Sequence, residues 1–391
     1  MPGAAQPVIL ACVNLMLDRT LKQLSKQKMT RKQFLVTVLL AMGALFGIAA
    51  FLRQFQLLAS TPTTADIEPE SKTLSNGAKI VTDATASGQA AVSFGPTALP
   101  TTGDLYKRCA FGVATGSTAA HEVLEAKLGA KFKNYVKYYD MGHNGIGNWP
   151  SVDAAWYKTT GHTLHLGWDM GGTTMTFAQV IAGQNNASLD AFFQSCKAHG
   201  DTIILRMWWE MNDPNGPTKV GSNNSLVAST QEWVTAWKFV YNRCKVTNGC
   251  TNVKFFWCAN GSDTGVYSME EFYPGDAYVD IVGFDTYNKP IWAGGAWHTF
   301  EQQYDGPYNR VAAITTDKTI PIMVGETGSD DGPINGHTKD EWLRQMFTSQ
   351  KYPRLRQIDW FNYYEYKIDA TQAAVDVCRQ YLPIAVQGSQ L

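Results

Sequence analysis

The chain has 391 residues, with 33 Lys or Arg against 34 Asp or Glu, and its formal net charge is −1. Because no basic block occurs beyond the N-terminal segment, we expect no nucleic-acid partner. The length exceeds that of one ordinary domain, but an α/β barrel needs about 250 residues by itself, so one large domain with an N-terminal extension is sufficient.

The N-terminal extension contains an uncharged, mostly apolar run at residues 34–52. A run of this length can cross a bilayer as one transmembrane helix, which takes about 20 residues. Basic residues crowd the preceding segment, 1–33, so the positive-inside tendency places that segment in the cytoplasm and the rest of the chain outside. We therefore expect an uncleaved signal anchor that holds the protein at the membrane, on the cell surface. A cleaved signal peptide, which would make the protein secreted, is the alternative.

Residues 53–103 are rich in Thr, Ser, Ala, Gly and Pro, a composition typical of a linker. In residues 104–391, eight short apolar runs alternate with helical patterns, which predicts a (β/α)8 TIM barrel. An open doubly wound sheet is the alternative, but no glycine fingerprint follows the first strand. The predicted strands are 111–113, 134–139, 163–168, 203–209, 253–257, 281–284, 322–324 and 358–361. The main predicted helices are 121–128, 152–157, 189–199, 231–244, 302–314, 339–347 and 372–381.

Two glutamates stand out because each follows an apolar strand. Glu210 ends the fourth predicted strand between aromatic residues, and Glu326 ends the seventh between glycines. Active sites of such barrels assemble from the carboxyl ends of the strands, so these two carboxylates should face each other. Two opposed carboxylates are what glycoside hydrolysis requires, since one protonates the leaving oxygen and the other attacks carbon or activates water. Glu210 could instead be structural, in an ion pair with Arg206.

Three segments in this order resemble a known family. Residues 206–212, 278–288 and 321–328 are similar to the strand-four, strand-six and strand-seven signatures of glycoside hydrolase family 26, whose members are β-mannanases and related β-glycanases. The resemblance implies a retaining mechanism with Glu210 as general acid/base and Glu326 as nucleophile. It also implies that Tyr287 hydrogen-bonds the nucleophile and that Trp360 forms an aromatic floor under the sugar.

Further substrate-binding candidates follow from position and chemistry. The guanidinium fork of Arg206 matches a carboxylate and should orient the glutamates. Asp169 and Asn212 could bind hydroxyl groups, although turn roles are open for both. The strand-end Trp168, and Trp292 on a Gly-rich loop, are candidate sugar platforms. Trp209 departs from the family, which usually has a histidine there, and should raise the pKa of Glu210 by desolvation.

The substrate expected from the resemblance is a β-1,4-mannan, cut internally. Mixed-linkage β-1,3-1,4-glucan and β-1,3-xylan remain alternatives, as does a non-catalytic carbohydrate-binding envelope protein on the same barrel. We expect a monomer that needs no organic cofactor. We also expect no metal, because the seven histidines are scattered along the chain. Cys244 and Cys250 flank a short turn and are the best disulfide candidates in an oxidising compartment.

Overall fold

The computed structural model describes residues 79–82, 90–93, 102–140, 149–169, 175–293 and 295–386. The chain divides into two compact units, Met1–Thr97 and Ala98–Leu391. In the first unit, strand β1 (Lys79–Thr82) pairs antiparallel with strand β2 (Ala90–Ser93). The predicted anchor at 34–52 lies outside the described residues. Within the described parts, no helix is long and apolar enough to span a bilayer.

The second unit contains a closed barrel of eight parallel strands, which confirms the predicted TIM barrel. Each strand pairs with its sequence neighbour, and β10 closes the circle against β3. The strands are β3 (Ala110–Ala114), β4 (Asn134–Asp140), β5 (Thr163–Asp169), β6 (Ile203–Met207), β7 (Val253–Asn260), β8 (Ile281–Asn288), β9 (Ile322–Ser329) and β10 (Leu355–Phe361).

The helices follow the strands around the outside of the barrel. They are α1 (Thr118–Leu128), α2 (Ser151–Thr160), α3 (Phe177–Ile181), α4 (Asn186–His199), α5 (Thr230–Asn242), α6 (Pro290–Ala293), α7 (Phe300–Ile314), α8 (Lys339–Thr348) and α9 (Gln372–Tyr381). We call the end where the strands finish the mouth of the barrel, and the opposite end its base.

Three strand ends differ from the prediction: one strand is shorter than predicted and two are longer. Strand β6 stops at Met207, before the predicted end, because Trp208 and Glu210 have φ angles of 50° and 52°. These left-handed backbone angles cannot continue a pleated strand. Strands β8 and β9 run further than their apolar cores, since they remain paired as far as Asn288 and Ser329. The mouth of the barrel is polar, so hydrophobicity underestimates the length of both strands.

Side chains alternate between the helix-facing side of each strand and the barrel interior. On β6, the buried Leu205 and Met207 belong to the large core under the helices, whereas Ile204 packs with Phe256 and Met323 inside the barrel. The interior also holds charged groups, of which Asp359 accepts a hydrogen bond from His165 at 2.6 Å. Apolar and ionised side chains thus share one closed interior.

The six cysteines within the described residues are buried and free. The predicted disulfide between Cys244 and Cys250 is therefore not formed in this structure. The Cys250 thiol instead donates a hydrogen bond to the carbonyl of Phe193 at 3.1 Å. The turn between the two cysteines is closed by the Cys250 amide, which donates to the carbonyl of Cys244 at 3.1 Å.

Gly325 on β9 provides a test of how tightly the interior is packed. A Cβ at this position would lie 2.4 Å from Arg206 Nη1 and 2.7 Å from Asp285 Oδ1, two groups that pair inside the barrel. We expect Gly325→Ala to lower the free energy of unfolding by about 1–3 kcal/mol, measured by urea denaturation, because overpacking must displace this pair.

The control is Gly116→Ala just before helix α1, where the glycine is exposed and nothing beyond its chain neighbours lies within 4 Å of the added Cβ. Substitutions at such exposed positions usually change the free energy of unfolding by less than about 0.5 kcal/mol, so this variant should be about as stable as the native chain. Equal stability of the two variants would contradict the packing described around Gly325.

Candidate active site

A cavity of about 850 Å³ opens at the mouth of the barrel. Strands β6 to β9 and the segment after β10 contribute its walls. Both predicted glutamates line this cavity, so the structure brings them together as the strand positions predicted. The residues that matter for its chemistry are Glu210, Asn260, Tyr287, Lys289, Glu326 and Tyr364.

Arg206 lies under the cavity with no exposed surface. Its Nη1 atom donates to both carboxylate oxygens of Asp285, at 2.9 and 3.0 Å. Its Nη2 atom donates to Oε1 of Glu326. The guanidinium thus bridges two carboxylates and does not pair directly with Glu210. The fork geometry of arginine suits such a bridge, because its donors point in fixed directions.

Glu326 receives two further hydrogen bonds from tyrosines. Tyr287 Oη donates to Oε2 at 2.5 Å, as the resemblance implied, and Tyr138 Oη donates to Oε1 at 2.9 Å. Three donors therefore hold the carboxylate in one orientation and stabilise its negative charge. Only a small part of Glu326 remains exposed, and it faces the cavity.

Glu210 sits in a different environment. Asn260 Nδ2 donates to its Oε1 at 3.3 Å, and within the described residues no arginine contacts its carboxyl group. Burial, and then the negative charge of Glu326, raise the pKa of Glu210 to about 7. Lys219 and Arg206 act in the opposite direction without cancelling these effects. One carboxyl group of the site therefore keeps its proton up to near-neutral pH, whereas the other is held by three hydrogen-bond donors.

The backbone that presents Glu210 is strained and is held from two sides. The Glu210 amide donates to the carbonyl of Cys258 at 2.9 Å. The buried Lys219 ammonium donates to the carbonyls of Trp209 and Glu210, the latter at 2.7 Å. Non-glycine residues with positive φ cost about 1–3 kcal/mol each and persist only when the surroundings enforce them. At Glu210, the hydrogen bonds from Lys219 and to Cys258 enforce the positive φ angle.

Trp209 covers Arg206 at the mouth of the barrel. Its ring lies 5.0 Å from the Arg206 guanidinium carbon and 5.7 Å from the ring of Tyr138. A tryptophan face attracts a cation, so this ring keeps water from the buried ion pairs and adds an attraction of its own. The residue that departs from the family pattern thus lies within the site.

The prediction that Trp168 and Trp360 bind sugar is wrong, because both side chains are buried. Trp168 is fully buried and stacks on Phe192 of helix α4, at 4.7 Å between ring centres. Trp360 is also buried, and its Nε1 donates to the carbonyl of Tyr366. Strand alternation explains both errors, because these positions face the helices. The next residue, Phe361, faces inward and contacts the rings of Tyr287 and Tyr138.

Asn212 is a structural residue, which corrects its predicted role in substrate binding. Its side chain is buried, accepts from the amide of Asn260 at 2.8 Å and donates to Asp263 Oδ1 at 2.9 Å. It therefore ties the turn after β6 to the loop after β7. Asp169 ends β5 on the inward-facing side and stays a candidate for substrate binding. The side chain of Trp292 lies outside the described residues.

Sequence reasoning missed Tyr138 and Lys219. Tyr138 lies on β4 two residues before its end, and its inward position could have been found from strand alternation. Lys219 comes from the long connection after β6, which has no periodicity that would place its side chain. Only the folded connection brings this ammonium group against the backbone of Glu210.

The structural role of Asn212 can be measured without any substrate. We expect Asn212→Ala to lower the free energy of unfolding by roughly 2–3 kcal/mol, because buried partners in two loops lose their hydrogen bonds. Asn215→Ala, in the same turn but exposed, is the control and should change stability by less than about 0.5 kcal/mol. Thermal or urea unfolding of both variants provides the comparison. An unchanged stability of Asn212→Ala would refute the structural role.

Part of the chain that forms this site matches a known protein family in sequence. Residues 204–331, which contain both glutamates, Arg206 and Tyr287, match the model of Glycosyl hydrolase family 26. No curated protein matches the chain in sequence.

Several solved structures share the fold at low identity. The YdhT protein from Bacillus subtilis is 15% identical with a TM-score of 0.52, over 71% of this chain and 87% of that one. Bacillus subtilis mannanase BCman is 15% identical with a TM-score of 0.51, over 70% and 85%. The family 26 domain of a Prevotella bryantii endo-β-mannanase/endo-β-glucanase is 16% identical with a TM-score of 0.50, over 72% and 93%. Residues 204–331, which carry both glutamates of this barrel, therefore match glycosyl hydrolase family 26, and the solved structures share the barrel fold.

Proposed function

We propose that this protein is a retaining endo-β-glycanase of the mannanase type, with Glu326 as the nucleophile and Glu210 as the general acid/base. The observation that carries the proposal is the unequal treatment of two carboxyl groups that line one cavity. Glu326 accepts hydrogen bonds from Arg206, Tyr138 and Tyr287, whereas burial keeps Glu210 protonated up to about pH 7. Double displacement needs one carboxyl group that can donate a proton and a second, held in a fixed orientation, that can act as the nucleophile.

In the first step, a Glu326 oxygen attacks the anomeric carbon while Glu210 gives its proton to the departing glycosidic oxygen. The C–O bond to the leaving sugar breaks as the ester bond to Glu326 forms. In the second step, Glu210, now ionised, takes a proton from a water molecule that attacks the same carbon. The ester bond breaks, Glu326 recovers its charge and Glu210 recovers its proton, so the cycle closes without a cofactor.

Arg206 and the two tyrosines position Glu326 throughout this cycle. They hold it while it is charged, and their fixed dipoles need no rearrangement when the ester forms. The hydrogen bonds from Tyr138 and Tyr287 stabilise the negative charge of Glu326 before the first step. They stabilise it again when the Glu326 carboxylate leaves in the second step. Arg206, Tyr138 and Tyr287 are therefore positioning residues for Glu326 in this mechanism.

The proposed substrate is a β-1,4-linked mannan, because the resemblance implies it and mannanase is the activity named for several of the structural neighbours. The cavity is lined by hydroxyl, amide and carboxylate groups suited to sugar hydroxyls, and the exposed ring of Tyr364 offers a flat apolar surface. Carbohydrate recognition commonly combines such polar groups with aromatic faces. Mixed-linkage β-glucan and β-1,3-xylan are the alternatives that a substrate panel must include.

The catalytic assignment predicts the behaviour of two variants. Glu326→Ala and Glu210→Gln should each lower kcat on manno-oligosaccharides by roughly 10³-fold or more, since each removes a reacting group. The control Glu341→Gln, on the outer helix α8, should hydrolyse as the native chain does. Reducing-end release and circular dichroism of all three proteins provide the measurements, together with NMR of the first-formed anomer.

Retention of the anomeric configuration is expected from the native enzyme. An inverted product would exclude Glu326 as nucleophile, even if both glutamates proved essential. Wild-type turnover by either glutamate variant would exclude the two-carboxylate mechanism altogether. Binding without release of reducing ends on every glycan of the panel would instead identify a carbohydrate-binding protein.

The raised pKa of Glu210 predicts the alkaline side of the pH profile. Glu210 must be protonated to assist the leaving group, and it loses that proton as the pH rises through about 7. We therefore expect kcat/KM on unactivated oligosaccharides to fall about tenfold per pH unit above that value. The fall should be much weaker with a nitrophenyl leaving group, which needs little protonation. Identical profiles for both substrates would contradict the role of Glu210 as the acid.

A further inference from the structure

A cluster of two histidines and one glutamate lies at the base of the barrel, away from both catalytic glutamates. His121 and Glu125 come from helix α1, one turn apart, and His162 immediately precedes strand β5. All three residues are buried. The sequence-based expectation that the histidines form no cluster is therefore wrong for these two. Nothing in the reaction proposed above uses them.

Three potential ligand atoms of this cluster converge on one point. His121 Nε2 lies 3.2 Å from Glu125 Oε1 and 3.2 Å from His162 Nε2, and His162 Nε2 lies 2.8 Å from Glu125 Oε1. Tetrahedral zinc with bonds of 2.0–2.1 Å keeps its ligand atoms about 3.3 Å apart. The triangle formed by these three atoms is close to one face of such a tetrahedron.

The hydrogen bonds around this triangle leave a neutral His162 without an N–H donor toward Glu125. The Thr160 hydroxyl donates to the carbonyl of Trp156 at 2.8 Å, so its oxygen accepts from Nδ1–H of His162, also at 2.8 Å. A neutral His162 then carries a bare lone pair on Nε2, directed at the carboxylate oxygen of Glu125. Two lone pairs at 2.8 Å repel each other unless positive charge lies between or beside them.

The surrounding residues fix the orientation of each ligand. The Phe132 amide donates to Glu125 Oε1 at 2.6 Å, and Thr160 fixes the His162 ring through Nδ1. Trp156 stacks on His162 with 4.7 Å between ring centres and is itself held by Glu122. Partners of this kind, which set the tautomer and the ring orientation, typically surround metal-bound histidines.

Access and space for a remaining ligand are also present. A cavity of about 800 Å³ adjoins the cluster and is lined by Glu122, Glu125, Trp156 and His162 among others. Water could reach the fourth coordination position from this cavity. Two imidazole nitrogens and one carboxylate oxygen, with one open position, form a donor set that zinc accepts readily.

We propose that His121, Glu125 and His162 bind a zinc ion that fastens helix α1 to the start of strand β5. The site lies at the end of the barrel that serves stability rather than catalysis. Its role would be structural, because the ion joins a helix to a strand that are separated in sequence by the whole of β4 and α2. The inference does not depend on the proposed glycanase activity.

The test uses the full chain, stripped with a chelator and then supplied with zinc chloride. After desalting, the native chain should retain one zinc per molecule by elemental analysis. Its X-ray absorption spectrum should show two imidazole nitrogens at the metal. Zinc at about 100 times its dissociation constant should raise the Tm by roughly 5 °C, because the ion binds only the folded state.

Three variants separate this site from adventitious binding. Glu125→Gln and His162→Gln should lose at least 100-fold in zinc affinity and lose the Tm rise, while circular dichroism checks that they remain folded. The control His337→Gln removes a half-exposed histidine elsewhere and should bind zinc as the native chain does.

Two results would overturn the proposal. The first is a native chain that retains no zinc and shows no Tm response, which would mean that a second proton on the histidines satisfies the cluster. The second is unchanged zinc retention in Glu125→Gln and His162→Gln, which would place the metal elsewhere on the chain. Because the measurements concern metal content and unfolding, failure here leaves the proposed glycanase activity untouched.

Discussion

Arg206 is a fully buried cation inside a closed barrel, and the site at the mouth is arranged around it. Its charge is balanced by Asp285 and Glu326, which it contacts with separate nitrogen atoms. Removing one partner of such a buried pair typically costs about 3–5 kcal/mol, because an uncompensated charge is left in a medium of low polarity. The neighbouring strands therefore accommodate the guanidinium: Gly325 leaves room for it, and Trp209 covers it.

The same arrangement separates the two glutamates electrostatically. Arg206 is committed to Glu326 and Asp285, so Glu210 gains little of its charge and responds mainly to burial and to the Glu326 anion. A histidine in place of Trp209 would offer a polar contact at this point, whereas the indole ring offers an apolar wall. The departure from the family pattern is thus compatible with an acid of raised pKa, and it changes the shape of the wall beside the proposed acid.

The two ends of the barrel are built for different purposes. At the mouth, Trp208 and Glu210 adopt left-handed backbone angles, and Lys219 is buried to hold that turn. Strain of this kind is typical of functional sites, where it aims a side chain that relaxed backbone would direct elsewhere. At the base, His121 and His162 pack with Glu125 among aromatic rings, where a bound ion would add stability without touching the chemistry.

Much of the architecture was predictable from the sequence, because it depends on patterns that are local in the chain. Alternating apolar runs and helical patterns identified all eight barrel strands, and the carboxyl-end position of Glu210 and Glu326 followed from the barrel itself. The motifs at 206–212, 278–288 and 321–328 indicated the family whose model matches residues 204–331. The strand ends did not follow from hydrophobicity, because backbone strain ended β6 early and polar pairing prolonged β8 and β9.

Only the tertiary structure decided which side chains reach the cavity and which charges meet. Trp168 and Trp360 face the helices, while Tyr138 and Phe361 face inward, a difference of one position that hydrophobicity does not reveal because both faces of a barrel strand are buried. Asn212 and Lys219 owe their roles to contacts between loops. Long-range pairing of this kind, like the meeting of His162 with helix α1, follows from closure of the barrel, and no local pattern encodes it.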